Sequence, residues 1–401
     1  MRVMLLAPGL DVHTNRFLTW LEKAGCEVIF VDKVKPKNLD PSCSRFVKYP
    51  SGLPGTGRRL ARLDDWARYL HLHYLWRRFR PDVVNLHNVC DERQYDCLRG
   101  RLRPLILSCW GADINRLFVP GADPLSRICT GRVLRFADHV FADAMDVLEN
   151  CRVLAGRPVP SSLLYFGINT DLFRPDYTEA AKAWRHALAI PQNARVLLSV
   201  RAWRWLYRHE LILEAFALAR ARLPFPTVLV FKRYNPLPTP GEDKVYEEDI
   251  RVKAQSLGVQ NCVRWLDRVP YDQMPAIYSL ADLVVNFPCR DGFPVSFIEA
   301  AACGKRVVTN HLPAYEGVGL ENFFGMVANH STEQLGRAIA EALMEQPESV
   351  SAKAQLARQW AVTYGDEKKC IEHLLTVYGR LAKRYNRGNS RKGAASSCLR
   401  S

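Results

Sequence analysis

The chain has 401 residues, 48% of them apolar, which fits two packed domains and excludes a disordered polypeptide. No apolar run approaches the ~18 residues that a membrane-spanning helix needs, and the apolar start at residues 1–7 is too short for a signal peptide, so a cytoplasmic protein is expected. The net charge of +15 is concentrated in two places: seven arginines between Arg58 and Arg80, and seven basic groups without an acid in the last twenty-two residues. The motifs of nucleic-acid readers are missing, so nucleic acid is not an expected partner. Twelve cysteines without C-x-x-C pairs or zinc spacing read as reduced thiols, and no metal is expected.

In chain order, residues 3–6, 27–31, 82–86, 105–108, 139–142 and 163–166 read as strands, with helices at 15–24 and 145–154 among them. In the loop after the first strand, Gly9 permits close approach of the backbone to a ligand, His13 follows, and Asn15 or Thr14 serves equally as a helix N-cap. From Arg58 to Arg80 the arginines alternate with Trp66, Tyr69, Leu72, Tyr74, Leu75, Trp76 and Phe79. This is either an interfacial helix on anionic lipid or a helix that packs its aromatic stripe into the core and leaves its arginines solvated. His87, at a strand end, and Asp113 are expected at the carboxyl edge of the sheet, oriented toward hydroxyls of a ligand. A packed structural histidine is the other reading of His87.

Residues 173–191 interrupt the alternation, which resumes with strands at 195–200, 227–231, 263–265, 283–287 and 306–309 and helices at 209–222, 244–257, 271–281 and 294–303. From about Ser331 to Tyr385 the pattern is helical, and the Gly-, Ser-, Arg- and Lys-rich remainder reads as disordered. The expected organisation is a first domain at 1–175, a second at 176–365, a helix at 366–385 returning to the first domain, and a basic tail at 386–401. Two successive α/β domains place a ligand cleft between them.

The most informative stretch is 291–299, where Asp291 and Glu299 stand eight positions apart around Pro294. Pro294 suits the first position of a helix. The N–H groups of Val295 and Ser296 and the positive end of the helix dipole then face a phosphate. Asp291 lies just outside that terminus and Glu299 about one and a half turns inside. Two carboxylates flanking an anion site fit a nucleotide sugar; an acidic helix cap is the alternative from these nine residues alone.

Residues 271–282, the apolar strand after them, the D-x7-E pair and the turn through Cys303 and Gly304 occur in an order that resembles the donor half of GT-B glycosyltransferases, the retaining family 4 type with its E-x7-E motif. More weakly, Trp110, Gly111 and Asp113 resemble a W-G-S-D element, and residues 166–175 resemble the segment that closes the first domain. The resemblance implies an α/β fold of two doubly wound Rossmann-like domains facing a central cleft. It also implies retaining transfer, without a metal cofactor, from a nucleotide sugar to a saccharide or lipid-linked acceptor at the cytosolic membrane face, as in cell-envelope or exopolysaccharide assembly. An anionic membrane surface would be met by the Arg58 to Arg80 segment and the C-terminal tail.

By that resemblance Glu299 takes ribose hydroxyls, and Asp291, one methylene shorter than the family's Glu, takes hydroxyls of the donor sugar. Gly292, Phe293, Val295 and Ser296 line the donor. Arg201 or Arg204, with Arg208, holds the diphosphate; Tyr207 stands where the family's Lys falls, and Lys232 and Arg233 are fallback cations. Gly9, His13, Asn15, Trp110 and Gly111 belong to the acceptor side, with His87, Asp113 and Asp291 nearest the chemistry. Three alternatives stay open: a small soluble acceptor; a sugar-nucleotide epimerase, against which the order of the motifs argues; and a non-catalytic glycosyltransferase-like subunit, which the departures at Asp291 and Tyr207 keep open.

Overall fold

A computed structural model describes residues 1–50, 58–89, 97, 101–233, 242–328 and 331–397. The chain divides into two compact units, Met1–Tyr165 with Cys370–Ser401, and Phe166–Lys369.

The first unit holds a seven-stranded sheet in the order β3-β2-β1-β4-β5-β6-β7, parallel throughout. Its strands are β1 (Arg2–Leu6), β2 (Glu27–Asp32), β3 (Ser44–Lys48), β4 (Val83–His87), β5 (Leu105–Cys109), β6 (His139–Ala142) and β7 (Ser161–Leu163). The central strands are apolar runs buried on both faces, as a parallel sheet covered by helices requires. The helices are α1 (Val12–Lys23), α2 (Arg58–Phe79), α3 (Ala112–Asn115), α4 (Pro124–Phe136) and α5 (Met145–Ala155).

The second unit holds a six-stranded parallel sheet in the order β10-β9-β8-β11-β12-β13. In chain order its elements are α6 (Thr178–Ala187), β8 (Arg195–Ser199), α7 (His209–Arg220), β9 (Thr227–Lys232), α8 (Glu242–Ser256), β10 (Val263–Leu266) and α9 (Met274–Leu280). There follow β11 (Leu283–Asn286), α10 (Val295–Ala302), β12 (Val307–Asn310), β13 (Gly325–Val327), α11 (Thr332–Met344) and α12 (Pro347–Tyr364). A last helix, α13 (Glu367–Ser397), belongs from Cys370 onward to the first unit. There the buried Tyr378 hydroxyl accepts from the Asn85 amide, and the Tyr385 hydroxyl donates to Asp138 at 2.6 Å.

Several expectations shift. The unit boundary falls about ten residues before 175, because Ile168 bridges Asp366 and Arg358 donates to the Thr170 and Phe173 carbonyls. The strand expected at 163–166 is β7, displaced toward Ser161, and residues 164–166 leave the sheet. The edge strands β3 and β13 were not expected at all. The tail is helical through Ser397, its arginines, lysine and alanines being good helix formers, while residues 398–401 lie outside the described ones. Among the described residues no helix is long and apolar enough to cross a membrane.

Candidate active site

In a doubly wound sheet, ligands bind beyond the carboxyl ends of the strands, where the strand order reverses. In the second unit that point lies between β8 and β11. The loop after β8 supplies Arg201 and the loop after β11 supplies Asp291, and the two meet there: Arg201 Nη2 donates to both carboxylate oxygens of Asp291, each at 2.9 Å. The pair is largely removed from solvent, with side-chain exposures of 13% and 10%. The Tyr207 ring lies under the guanidinium, 4.1 Å from its carbon, and the Tyr315 hydroxyl donates to Asp291 at 3.2 Å. Burial raises the Asp291 pKa and Arg201 opposes the rise, with Tyr315 and Asn286 assisting. Burial also works against the Arg201 charge, but Asp291, Tyr207 and Tyr315 more than offset it, so its pKa is raised.

Asp291 leads through Gly292 and the buried Phe293, which stacks on Trp360, into α10. Pro294 is the N-cap and not the first helical residue: its ψ of 129° is extended, and its carbonyl accepts the first bond from the Phe297 N–H. No side chain caps this terminus, so the Val295 and Ser296 end of α10 presents its positive pole beside Arg201, whose Nη1 stands 3.5 Å from the Ser296 hydroxyl. Asn286 and Thr309 pair in register near the strand ends, and among the described residues the buried Thr309 hydroxyl has no hydrogen-bond partner.

Glu299 is buried on the same helix and accepts from the Tyr278 hydroxyl at 2.7 Å. Lys232, buried at the end of β9, has its pKa lowered by that burial, and the nearby Glu299 carboxylate opposes the shift. The fallback cation is therefore in the neighbourhood of the expected ribose carboxylate. Arg233 is paired with Glu247.

Arg208, expected at the diphosphate, is engaged by the protein itself. Its guanidinium donates to the Phe287 and Pro288 carbonyls, at 2.9 and 2.6 Å, and lies over the Phe287 ring, so it fixes the start of the Asp291 loop. Arg204 is exposed, leaving Arg201 as the arginine that the fold brings to α10.

In the first unit the strand order reverses between β1 and β4. Gly9 is required by the protein's own packing: an added Cβ would meet the Val34 carbonyl oxygen at 2.1 Å, and the Gly9 N–H is held by Asp32. The cap of α1 is Asp11, which accepts from the His13 and Thr14 N–H groups, whereas the Asn15 amide donates to the Gly9 and Asp11 carbonyls. Neither Asn15 nor Thr14 is the cap, and the helix starts earlier than expected. His87 is buried at the end of β4, with ring contacts to Phe17 at 4.6 Å and Trp110 at 5.4 Å, and Trp110 also meets His13 at 6.0 Å. Gly111 has a φ of +81°, the region glycine favours. Asp113 accepts from the Val89 and Trp110 N–H groups, one on each oxygen, so its visible role is to tie the β4 and β5 loops together; burial raises its pKa.

The fold thus joins Arg201, Asp291 and Ser296, and separately His13, His87 and Trp110. The sequence reading missed Tyr278 and Tyr315 as partners of the two carboxylates and Tyr207 as a platform for Arg201. Tyr278 had a signal, since it lies within the stretch 271–282; Tyr315 had none.

Residues 2–144 match the family described as glycosyl transferase 4-like, and residues 181–360 match glycosyl transferases group 1. With its two parallel-sheet units, the chain belongs to the GT-B glycosyltransferases of the family 4 type. It is similar to D-inositol 3-phosphate glycosyltransferase of Corynebacterium urealyticum, 25% identical over 275 residues, an alignment spanning 68% of this chain but only 63% of that relative. D-inositol 3-phosphate glycosyltransferase 1 of Catenulispora acidiphila is 26% identical over 306 residues, covering 74% and 72% of the two chains. The fold is also that of Anabaena HepE, solved in complex with UDP and glucose, with a TM-score of 0.73, 14% identity and coverage of 95% of this chain and 100% of the other.

Proposed function

We propose that the chain transfers a sugar, with retention, from a nucleotide-sugar donor to a saccharide or lipid-linked acceptor at the cytosolic membrane face, in cell-envelope or exopolysaccharide biosynthesis. The observation that carries the reading is the convergence of Arg201 and Asp291 on the uncapped N-terminus of α10, with Glu299 on the same helix. The complex of HepE with UDP and glucose supports a donor of this class.

As the glycosidic bond to the donor breaks, charge grows on the leaving phosphate. The Arg201 fork and the first N–H groups of α10 are preorganised to receive it, which is where catalysis of this kind gains most. These groups take the part a metal ion plays elsewhere, so no metal cofactor is assigned. Phosphate binding exchanges one bidentate partner of Arg201 for another, and Asp291 is then released to accept from hydroxyls of the sugar. The likeness to the two D-inositol 3-phosphate glycosyltransferases favours a second reading of the acceptor, a small soluble polyol phosphate.

The test is a thermal-shift screen of UDP- and GDP-sugars on the wild-type chain and on Glu299→Ala, followed by transfer assays. A ligand that binds only the native state raises Tm by mass action. Stabilisation of the wild type by at least one nucleotide sugar, lost in Glu299→Ala, is expected. Equal shifts in the two proteins, or none with any donor, would overturn the assignment.

A further inference from the structure

Helix α2 shows an inverted arrangement. Among its described side chains only Leu72 and Leu75 are buried, while Trp66, Leu70 and Tyr74 are 58%, 52% and 53% exposed. At about 100° per residue, positions 66, 70, 74 and 77 fall within an arc of roughly 80°, on the side opposite 72 and 75. The solvent side of the helix therefore carries a stripe of large apolar groups, which a surface helix ordinarily places inward.

The charge on this face has one sign. Arg77 and Arg78 are exposed in the last turn, and no acid occurs from Trp66 through Pro81. Arg78 Nη1 donates to the Tyr74 hydroxyl at 2.8 Å, which sets the guanidinium against the end of the apolar stripe. In sequence, Arg58, Arg59 and Arg62 precede the stripe, with Asp64 and Asp65 between them and Trp66, a net excess of one positive charge. Trp and Tyr, with an apolar body and a polar tip, favour the boundary between water and acyl chains, and arginine stems extend along apolar surface while the head stays with anions. An apolar stripe that ends in Arg77 and Arg78, with no acid from Trp66 to Pro81, is complementary to an anionic bilayer surface.

We propose that the outward face of α2, formed by Trp66, Leu70 and Tyr74 with Arg77 and Arg78, docks on an anionic bilayer. Its purpose rests on the lipid-facing part of the proposed function, but the docking is measured without turnover, so either can fail alone.

The full chain is sedimented with phosphatidylcholine vesicles prepared with and without phosphatidylglycerol. Binding to the anionic vesicles only, weakened by salt, is expected. Arg77→Gln with Arg78→Gln should lower the partition coefficient about 25-fold, near fivefold per arginine at the surface. Trp66→Ser with Leu70→Ser and Tyr74→Ser should lower it at least as far. All five side chains point outward, so both variants should retain the cooperative thermal unfolding of the wild type, which reports that they are folded. Failure of the wild type to bind, or equal binding by the wild type and both variants, overturns the proposal. A wild-type dimer that the Trp66, Leu70 and Tyr74 variant converts to monomer would assign the face to a second copy of the chain and overturn it as well.

Discussion

Replacing Asp291 by Asn removes the carboxylate that compensates Arg201 while keeping nearly the same shape. The guanidinium stays behind with 13% of the side chain exposed, its bidentate partner reduced to one amide oxygen. Two unit charges about 4 Å apart interact by roughly 4 kcal/mol at an effective dielectric constant of about 20. Breaking a buried pair by removing one member costs about 3–5 kcal/mol. Because Asn retains one acceptor, the low end, about 3 kcal/mol, is expected. The second unit has about 200 residues, for which 1 kcal/mol corresponds to a shift of about 2–4 °C, so Tm should fall by about 6–12 °C.

Adding UDP supplies the decisive contrast. At about 100 times its Kd, a ligand of the native state contributes about 2.7 kcal/mol. In the variant the diphosphate no longer competes with a carboxylate for Arg201 and restores the missing counter-charge. UDP should therefore raise Tm more in Asp291→Asn than in the wild type, whereas sugar transfer should decline because a neutral amide replaces the carboxylate that accepts from the sugar hydroxyls. Scanning calorimetry with and without UDP measures both quantities. A variant within about 1 kcal/mol of the wild type, or one that UDP stabilises less, would refute the account of Arg201 as a phosphate-binding group held in reserve by Asp291.

Two further outcomes follow from neighbouring residues. Arg208→Gln leaves two loop carbonyls short of a donor, so stability should drop by about 1–3 kcal/mol in urea denaturation with little change in nucleotide Kd measured calorimetrically; a weakened Kd at unchanged stability would return Arg208 to the phosphate site. His209, stacked on Trp203 at 4.7 Å, has its pKa pushed down by burial to about 3 from 6.5. The folded chain keeps this ring neutral while the unfolded chain protonates it, so its contribution is complete above pH 6.5 and is lost as pH falls toward 3, by up to about 1.4 kcal/mol per pH unit. His209→Phe should flatten the stability profile across that window, and parallel profiles for the two proteins would count against the assignment.

What was legible in the sequence is what a buried parallel strand must show. β11 and β12 lie inside the second sheet, so their apolar runs stood out. β3 and β13 are sheet edges, only partly buried, and β3 in particular has a mixed composition without such a run. The helix that starts beside Asp291 was equally visible, because Pro294 and the acidic spacing are local signals. The pairing of Asp291 with Arg201 was not, since ninety positions separate two residues that only the sheet order brings together. The carbonyl partners of Arg208 were hidden for a related reason: an arginine in such a loop looks the same in sequence whether its fork meets an anion or two backbone carbonyls.

The two departures from the family's pattern gain a different meaning once placed in the fold. A motif that had merely decayed would leave Arg201 without compensation or Glu299 facing water, because burying a charge without partners is costly. Here Arg201 has a carboxylate on one side and the Tyr207 ring on the other, and Glu299 is buried against the Tyr278 hydroxyl. The short Asp and the aromatic residue in place of Lys act on the same guanidinium, one by charge and one by its ring face. A cation near Glu299 is provided instead from β9, as Lys232. The contacts therefore centre on Arg201, and the nucleotide-sugar binding proposed for this site should be most sensitive at that residue.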